Sequence, residues 1–340
     1  MNKSILIIAI IFCMLLPTGC SKEGDPGMLK FTNPIAEHGN DPWIVMQGGY
    51  YYYCYSESGG IRVSKMKNFI ELGEAKAERV WTAPGNTIYS KEIWAPELHY
   101  LNGEWYIYFA ADDGNNDNHK MYVLKGTSQD PTEQFEFVGV ISDSSNKWAI
   151  DGTVMQYKDE LYFVWSGWEG YENIKQDIYI AKMSDPCTIS SERVMISTPD
   201  LFWEKYGDPK INEGPVAISH DGTMHIVYSA SASWLNAYCL GLLTLKNGED
   251  PLVAENWVKA DRPILRESAT VFGPGHCSFT TVMNEGEEEI WVVYHANVES
   301  GSGWGGRKVF TQKVEWDENN YPVIGEPVDA GVELTIAENK

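Results

Sequence analysis

Five segments of the chain repeat one layout. Asp41-Pro-Trp-Ile, Ala95-Pro-Glu-Leu, Asp151-Gly-Thr-Val, Glu213-Gly-Pro-Val and His276-Cys-Ser-Phe begin at steps of 54, 56, 62 and 63 residues. Self-similarity at such a period belongs to repeat folds, in which each unit buries its apolar face against the next. Each header leads into a short apolar stretch and then a turn: Gly48-Gly49, Asn102-Gly103, Lys158-Asp159, Asp221-Gly222 and Asn284-Glu285-Gly286. Gly, Asn and Asp tolerate positive φ, which tight hairpins require. Strands rich in aromatic and β-branched residues follow, such as YYYYCYS, EWYIYFAA and EIWVVYHA, and a third strand closes most copies. Composition and period both read as strand. Sheets of three or four strands at a spacing near sixty residues predict an all-β, five-bladed β-propeller. A pair of β-sandwiches would leave the five headers unexplained. The repeats fill roughly Asn33 to Val323, with no linker inside them.

In a propeller the innermost strand of each blade lines the central channel, so its first residue stands at one mouth. Equivalent headers would therefore gather Asp41, Ala95, Asp151, Glu213 and His276 around one axis. A single acid in a sequence is most simply a solvated charge or a strand cap. Three carboxylates and a histidine at five matching positions, beside Trp43, Trp94 and Trp148, are harder to read that way. Crowded, buried carboxyls have their pKa values pushed apart. Acid/base attack on a glycosidic bond needs that separation, with one carboxyl protonated and another ionised.

Composition excludes other partners. There are 48 acidic against 26 basic residues, a net charge of −22, and such a chain cannot neutralise a phosphate backbone, so no nucleic acid is expected. The thirteen Trp and nineteen Tyr supply rigid area for β packing and faces on which sugar rings stack. Cys54, Cys187, Cys239 and Cys277 show neither CxxC nor zinc spacing and read as structural. The acidic loop Asp112–His119 lacks EF-hand spacing and reads as solvated.

The set NDPW (Asn40–Trp43), WAPE (Trp94–Glu97), AIDG (Ala149–Gly152), NEGP (Asn212–Pro215) and GPGH (Gly273–His276) resembles glycoside hydrolase family 43. Those five-bladed propellers include arabinofuranosidases, arabinanases and β-xylosidases. The resemblance spans nearly the whole chain after residue 30. It departs at Asn40, where many members have His, and Trp43 separates it from the NDPNG of invertase-type propellers. It implies that Asp41 is the general base, Glu213 the general acid, and Asp151 the group that raises the pKa of Glu213 and holds it. It also implies an inverting reaction, with carboxyls roughly 6.5–9.5 Å apart so that a water fits between base and sugar. Trp94, Trp168 and Trp234 are candidates to wall the sugar subsite, and Arg307 to contact the substrate or the region of Asp41. No cofactor is required for the chemistry. The resemblance places His276 near a structural calcium on the axis, although a hard cation prefers oxygen ligands.

The expected activity is an exo-acting α-L-arabinofuranosidase on plant arabinan or arabinoxylan, with β-D-xylosidase and endo-arabinanase as alternatives within the same chemistry. A non-catalytic carbohydrate-binding propeller would predict a missing acid, and none is missing. No protein partner is expected. At the start, Lys3, the apolar run Ile5–Leu16 and Pro17-Thr18-Gly19-Cys20 resemble a bacterial lipoprotein signal. That reading divides the chain into a signal over 1–19, a tether over 20–30 and the propeller over 31–340. Lipid on Cys20 would make the membrane a partner through an anchor alone, on the outer membrane or cell surface, with periplasmic or secreted protein as the alternative.

Overall fold

The computed structural model describes residues 27–339, so the expected signal and the lipidation site Cys20 lie outside the described residues. The described chain is all-β and is built from four-stranded antiparallel units. Sheet I contains Trp43–Gln47, Tyr50–Glu57, Gly60–Met66 and Ala77–Thr82. Sheet II contains Lys91–Leu101, Glu104–Asp112, Lys120–Gly126 and Phe135–Val140. Sheet III contains Ala149–Tyr157, Glu160–Gly167, Lys175–Asp185 and Val194–Ser197, with the short Thr188–Ile189 beside its third strand. Sheet IV contains Lys210–His220, Thr223–Ala230, Cys239–Leu245 and Trp257–Lys259. Sheet V contains Phe272–Asn284, Glu287–Asn297, Lys308–Trp316 and Pro322–Val323. Sheets III and IV are stitched together by a two-residue parallel bridge, Lys175 to Lys210 and Gln176 to Ile211.

The hairpins form where the turn residues demanded. Gly48 and Gly49, Asn102 and Gly103, Lys158 and Asp159, Asp221 and Gly222, and Glu285 and Gly286 all have positive φ. Two consecutive left-handed residues match the twist of the flanking strands, which fixes register at every first hairpin.

Each sheet buries both faces, and the apolar clusters lie between neighbours. Leu98 and Phe109 of sheet II pack with Ile61 and Val63 of sheet I. Similar clusters join II to III, III to IV and IV to V. The last returns from V to I, with Trp291 and Val293 packed on Ile44, Tyr51 and Tyr53. The first strands follow the same cyclic order, each touching the next and that of sheet V touching that of sheet I. The ends of the described chain reinforce the V–I junction. Met28–Thr32 pairs with Glu333–Ala337, and Asn33 exchanges two hydrogen bonds with the backbone of Thr311 at 2.8 and 2.9 Å. Cys54, Cys187, Cys239 and Cys277 are all free thiols.

Candidate active site

The first strand of sheets II to V is interrupted near its start by a residue in the left-handed region: Ala95 (φ 41°), Asp151 (φ 54°), Gly214 (φ 53°) and His276 (φ 44°). Asp41 (φ 46°) occupies the same place before sheet I. Such irregularities re-aim side chains that a flat strand would send to alternate faces. This corrects the register of the fourth header. The equivalent of Asp41 and Asp151 is Gly214, so Glu213 stands one residue earlier, level with Trp94 and Ile150. Both positions of the kink face one cavity of about 550 Å³, which Asp41, Asp151 and His276 enter from the left-handed position and Glu213, Trp94 and Ile150 from the preceding one. At Gly214 a side chain would meet the His276 ring at 3.2 Å, so positive φ and space both call for glycine.

Asp151 and Glu213 are buried, and Asp41 is partly exposed. Burial pushes the Glu213 carboxyl up to about 7, opposed by a hydrogen bond from the Tyr238 hydroxyl to its Oε1 at 2.9 Å and by the positive charge of Arg307. Burial also holds Asp151 well above the usual carboxylate range, with the charges of Glu213 and Asp41 adding to the rise. Desolvation is the first cause at both carboxyls, and the repulsion between Asp151 and Glu213 adds to the rise. Asp151 also fixes the backbone of the acid, because the Gly214 N–H donates to its Oδ2 at 3.1 Å.

Asp41 sits in a basic and imidazole-lined corner. Arg307 donates from Nη1 to its Oδ1 at 3.4 Å and from Nη2 to the Ser233 carbonyl at 3.0 Å. Nδ1 of His276 lies 3.2 Å from the same carboxylate oxygen. The backbone N–H of Asp41 donates to Nδ1 of His295 at 3.2 Å. That bond needs an unprotonated Nδ1, and burial, which drives the His295 pKa well below its ordinary value, keeps the ring neutral. His295 in turn lies parallel to Tyr238, with ring centroids 5.7 Å apart and planes 8° apart. Two buried rings thus bridge the backbone of one carboxylate to the side chain of another. Gly275 makes room for the bridge, since a Cβ there would fall 2.2 Å from the Tyr238 ring. A second hollow of about 470 Å³ shares Asn40, Asp41 and Ser56 with the first, so Asp41 borders both.

The aromatic expectations divide. Trp94 lines the cavity and stacks on His119 at 4.0 Å. Trp234 lines it too and meets Trp304 edge-on at 5.6 Å. Trp168 does not reach the cavity. It is 1% exposed and lies flat behind Trp148, 4.6 Å away, and Trp148 takes the wall position. The sequence carried the signal, because Trp148 precedes AIDG much as Trp94 precedes APE. His295 and Tyr238 were missed because each lies inside an apolar strand or loop, where neither has a local marker. Arg307 stands where it was expected, beside Asp41.

The donor set at His276 does not suit calcium. Its Nδ1 faces Asp41, and among the described residues no cluster of three or more His, Cys, Asp or Glu side chains is placed to hold a metal ion. A hard cation would need oxygen ligands that these side chains do not provide as a set.

Several known proteins are similar to this chain. A 34% identical relative is an extracellular exo-alpha-(1->5)-L-arabinofuranosidase of Streptomyces avermitilis, matched over 97% of this chain and 70% of the relative. Alpha-L-arabinofuranosidase 43 of Humicola insolens is 31% identical over 95% of this chain and 69% of its own length. The crystal structure of an alpha-L-arabinofuranosidase from Lactobacillus brevis superposes with a TM-score of 0.82 at 29% identity, covering 89% of this chain and 98% of that one. The sequence model for glycosyl hydrolases family 43 matches residues 31–322, which contain every carboxylate and ring of the cavity, and the chain belongs to that family.

Proposed function

We propose that the protein is an inverting, exo-acting α-L-arabinofuranosidase that removes terminal arabinofuranosyl units from plant arabinan or arabinoxylan. The observation that carries this reading is the meeting of Asp41, Asp151 and Glu213 at one cavity, with Glu213 raised to about 7. A carboxyl in that range is protonated at the start of a turnover and can still give up its proton, as a general acid must. Glu213 protonates the leaving oxygen. Asp41, oriented by Arg307 and by its backbone bond to His295, takes a proton from the attacking water. Asp151 holds the strand that carries the acid. The names of the relatives support arabinofuranose as the sugar, and the 550 Å³ cavity has the volume of a small-ligand site.

The five sheets, in this reading, are the blades of a five-bladed propeller, and the cyclic order of their packing clusters supports it. Export as a lipoprotein anchored through Cys20 is part of the same proposal, supported by the leader-like residues 1–19 and by relatives described as extracellular. The catalytic steps use carboxylates alone.

The test is hydrolysis of 4-nitrophenyl α-L-arabinofuranoside against the β-D-xyloside, with the anomer of the first product read by proton NMR. Preferential cleavage of the arabinofuranoside with inversion is expected, and Glu213→Gln should abolish cleavage of arabino-oligosaccharides. Cleavage of the xyloside alone, a retained anomer or an active Glu213→Gln would overturn the respective part.

A further inference from the structure

Glu204 is a charged side chain that lies outside the cavity and is wholly removed from solvent. It closes the short turn Phe202–Glu204. Its Oε2 accepts the N–H groups of Asp200 and Leu201 at 3.0 and 2.8 Å, and its Oε1 accepts the Tyr228 hydroxyl at 2.8 Å. Lys259 Nζ lies 3.0 and 3.1 Å from the two oxygens. A buried ion pair is weak evidence for stability, because desolvation offsets much of its attraction. What a fully bonded buried network supplies is direction, since each bond fixes where its donor must point.

The remaining donor leads to the acid. Asn212 Nδ2 donates to Glu204 Oε1 at 3.1 Å, and Asn212 is the residue before Glu213. Adjacent residues of a strand face opposite sides. Glu213 therefore enters the cavity while Asn212, also fully buried, turns away from it toward sheet III. There Ser197 donates to Asn212 Oδ1 at 2.8 Å, and Ser166 Oγ donates to the Asn212 carbonyl at 2.9 Å. Asn212 and Glu213 are the last regularly paired residues before the strand shifts register. Beyond them, the Gly214 N–H is held by Asp151. Both neighbours of the acid are thus clamped, one to Asp151 and the other to Glu204.

We infer that Glu204 is a positioning residue for the proton transfer: through Asn212 it sets the direction in which Glu213 presents its proton to the leaving oxygen. The inference rests on the proposed reading of Glu213 as the general acid. Misplacing a reacting group by on the order of 1 Å can cost about a hundredfold in rate. Glu204→Gln keeps the shape of the side chain and breaks the clamp, because an amide has a single accepting oxygen. With that oxygen toward Asp200 and Leu201, the new NH2 group faces Asn212 Nδ2, donor against donor. With the amide reversed, it faces the two backbone N–H groups that anchor the turn.

The test compares leaving groups. A sugar departs as an alcohol and needs the acid's proton, whereas 4-nitrophenolate departs with little help from an acid. Glu204→Gln should lower kcat for an arabino-oligosaccharide about tenfold or more, with KM within about twofold, and leave kcat for 4-nitrophenyl α-L-arabinofuranoside within about threefold. Glu213→Gln, measured alongside, should show the same selectivity on a larger scale. Ser197→Ala deletes one hydroxyl, the other side-chain partner of Asn212, and should show the selective loss on a smaller scale, which keeps the test open if Glu204→Gln does not fold. Equal losses on both substrates, or no loss on either, would make the network merely structural and overturn the inference. A selective Glu213→Gln beside unselective Glu204→Gln and Ser197→Ala would remove the positioning role alone. An unselective Glu213→Gln would remove the acid assignment and this inference with it.

Discussion

Replacing Tyr238 with Phe removes one hydrogen-bond donor from Glu213 and leaves the ring that packs against His295. The donor stabilises the ionised carboxylate, so its loss must raise the pKa of the acid further above about 7. A hydrogen bond to a charged group contributes about 1.5–3 kcal/mol. The tyrosine hydroxyl can also bond the neutral acid, so the difference between the two forms falls at the low end, about 1.4 kcal/mol or roughly one pKa unit. A general acid must be protonated to act, and activity therefore falls as pH rises through its pKa. The basic limb of the kcat/KM profile for an arabino-oligosaccharide should move up by about one unit in Tyr238→Phe, since that limb reports the free enzyme. The relative activity of the variant at pH 8.5 would then exceed that of the wild type, even if its plateau is lower. A variant that merely loosened the fold would lower the plateau and leave the limb in place. If the limb stays fixed or moves down, then either Glu213 is not the acid or another group controls the limb, and the reasoning fails.

Two further outcomes follow from the same cavity. Glu213 has a higher pKa folded than unfolded, so the folded state is favoured below the unfolded value of 4.5 and that advantage is lost as pH rises toward about 7. Glu213→Gln cannot ionise, and denaturant unfolding should show it gaining on the wild type between pH 4.5 and 8 by no more than ~3 kcal/mol; equal stability at both pH values would contradict the desolvated site. Gly275→Ala would press a methyl group into the Tyr238 ring, with 2.2 Å available. Thermal unfolding should report a loss of about 1–3 kcal/mol from overpacking, together with reduced kcat, and an unchanged melting temperature would show that the ring can move aside.

What could be read in advance was local. Turn pairs such as Asn102-Gly103 and Asp221-Gly222 specify left-handed hairpins by themselves, and they punctuate the chain into strands that match the observed units. Asp41, Asp151 and Glu213 stood out because each heads a repeat. Their register did not. Glu213 and Gly214 are adjacent, and only the position of the strand irregularity decides which of them matches Asp151. Trp168 and Trp148 likewise differ in burial, not in type, and a sequence does not say which of two stacked indoles faces the cavity. His295 and Tyr238 lie more than fifty residues apart and meet only because sheets IV and V pack face to face.

By itself, the sequence determined the all-β character, the hairpins, the repeat and the three carboxylates, because propensity, turn chemistry and period act over a few neighbouring residues. Tertiary structure alone decided which groups touch and how much water each loses. Desolvation raises Glu213 and silences His295, and the closeness of Arg307 to Asp41 depends on packing between strands far apart in the chain. Burial is a property of everything that surrounds a group, so no short stretch of residues can encode it.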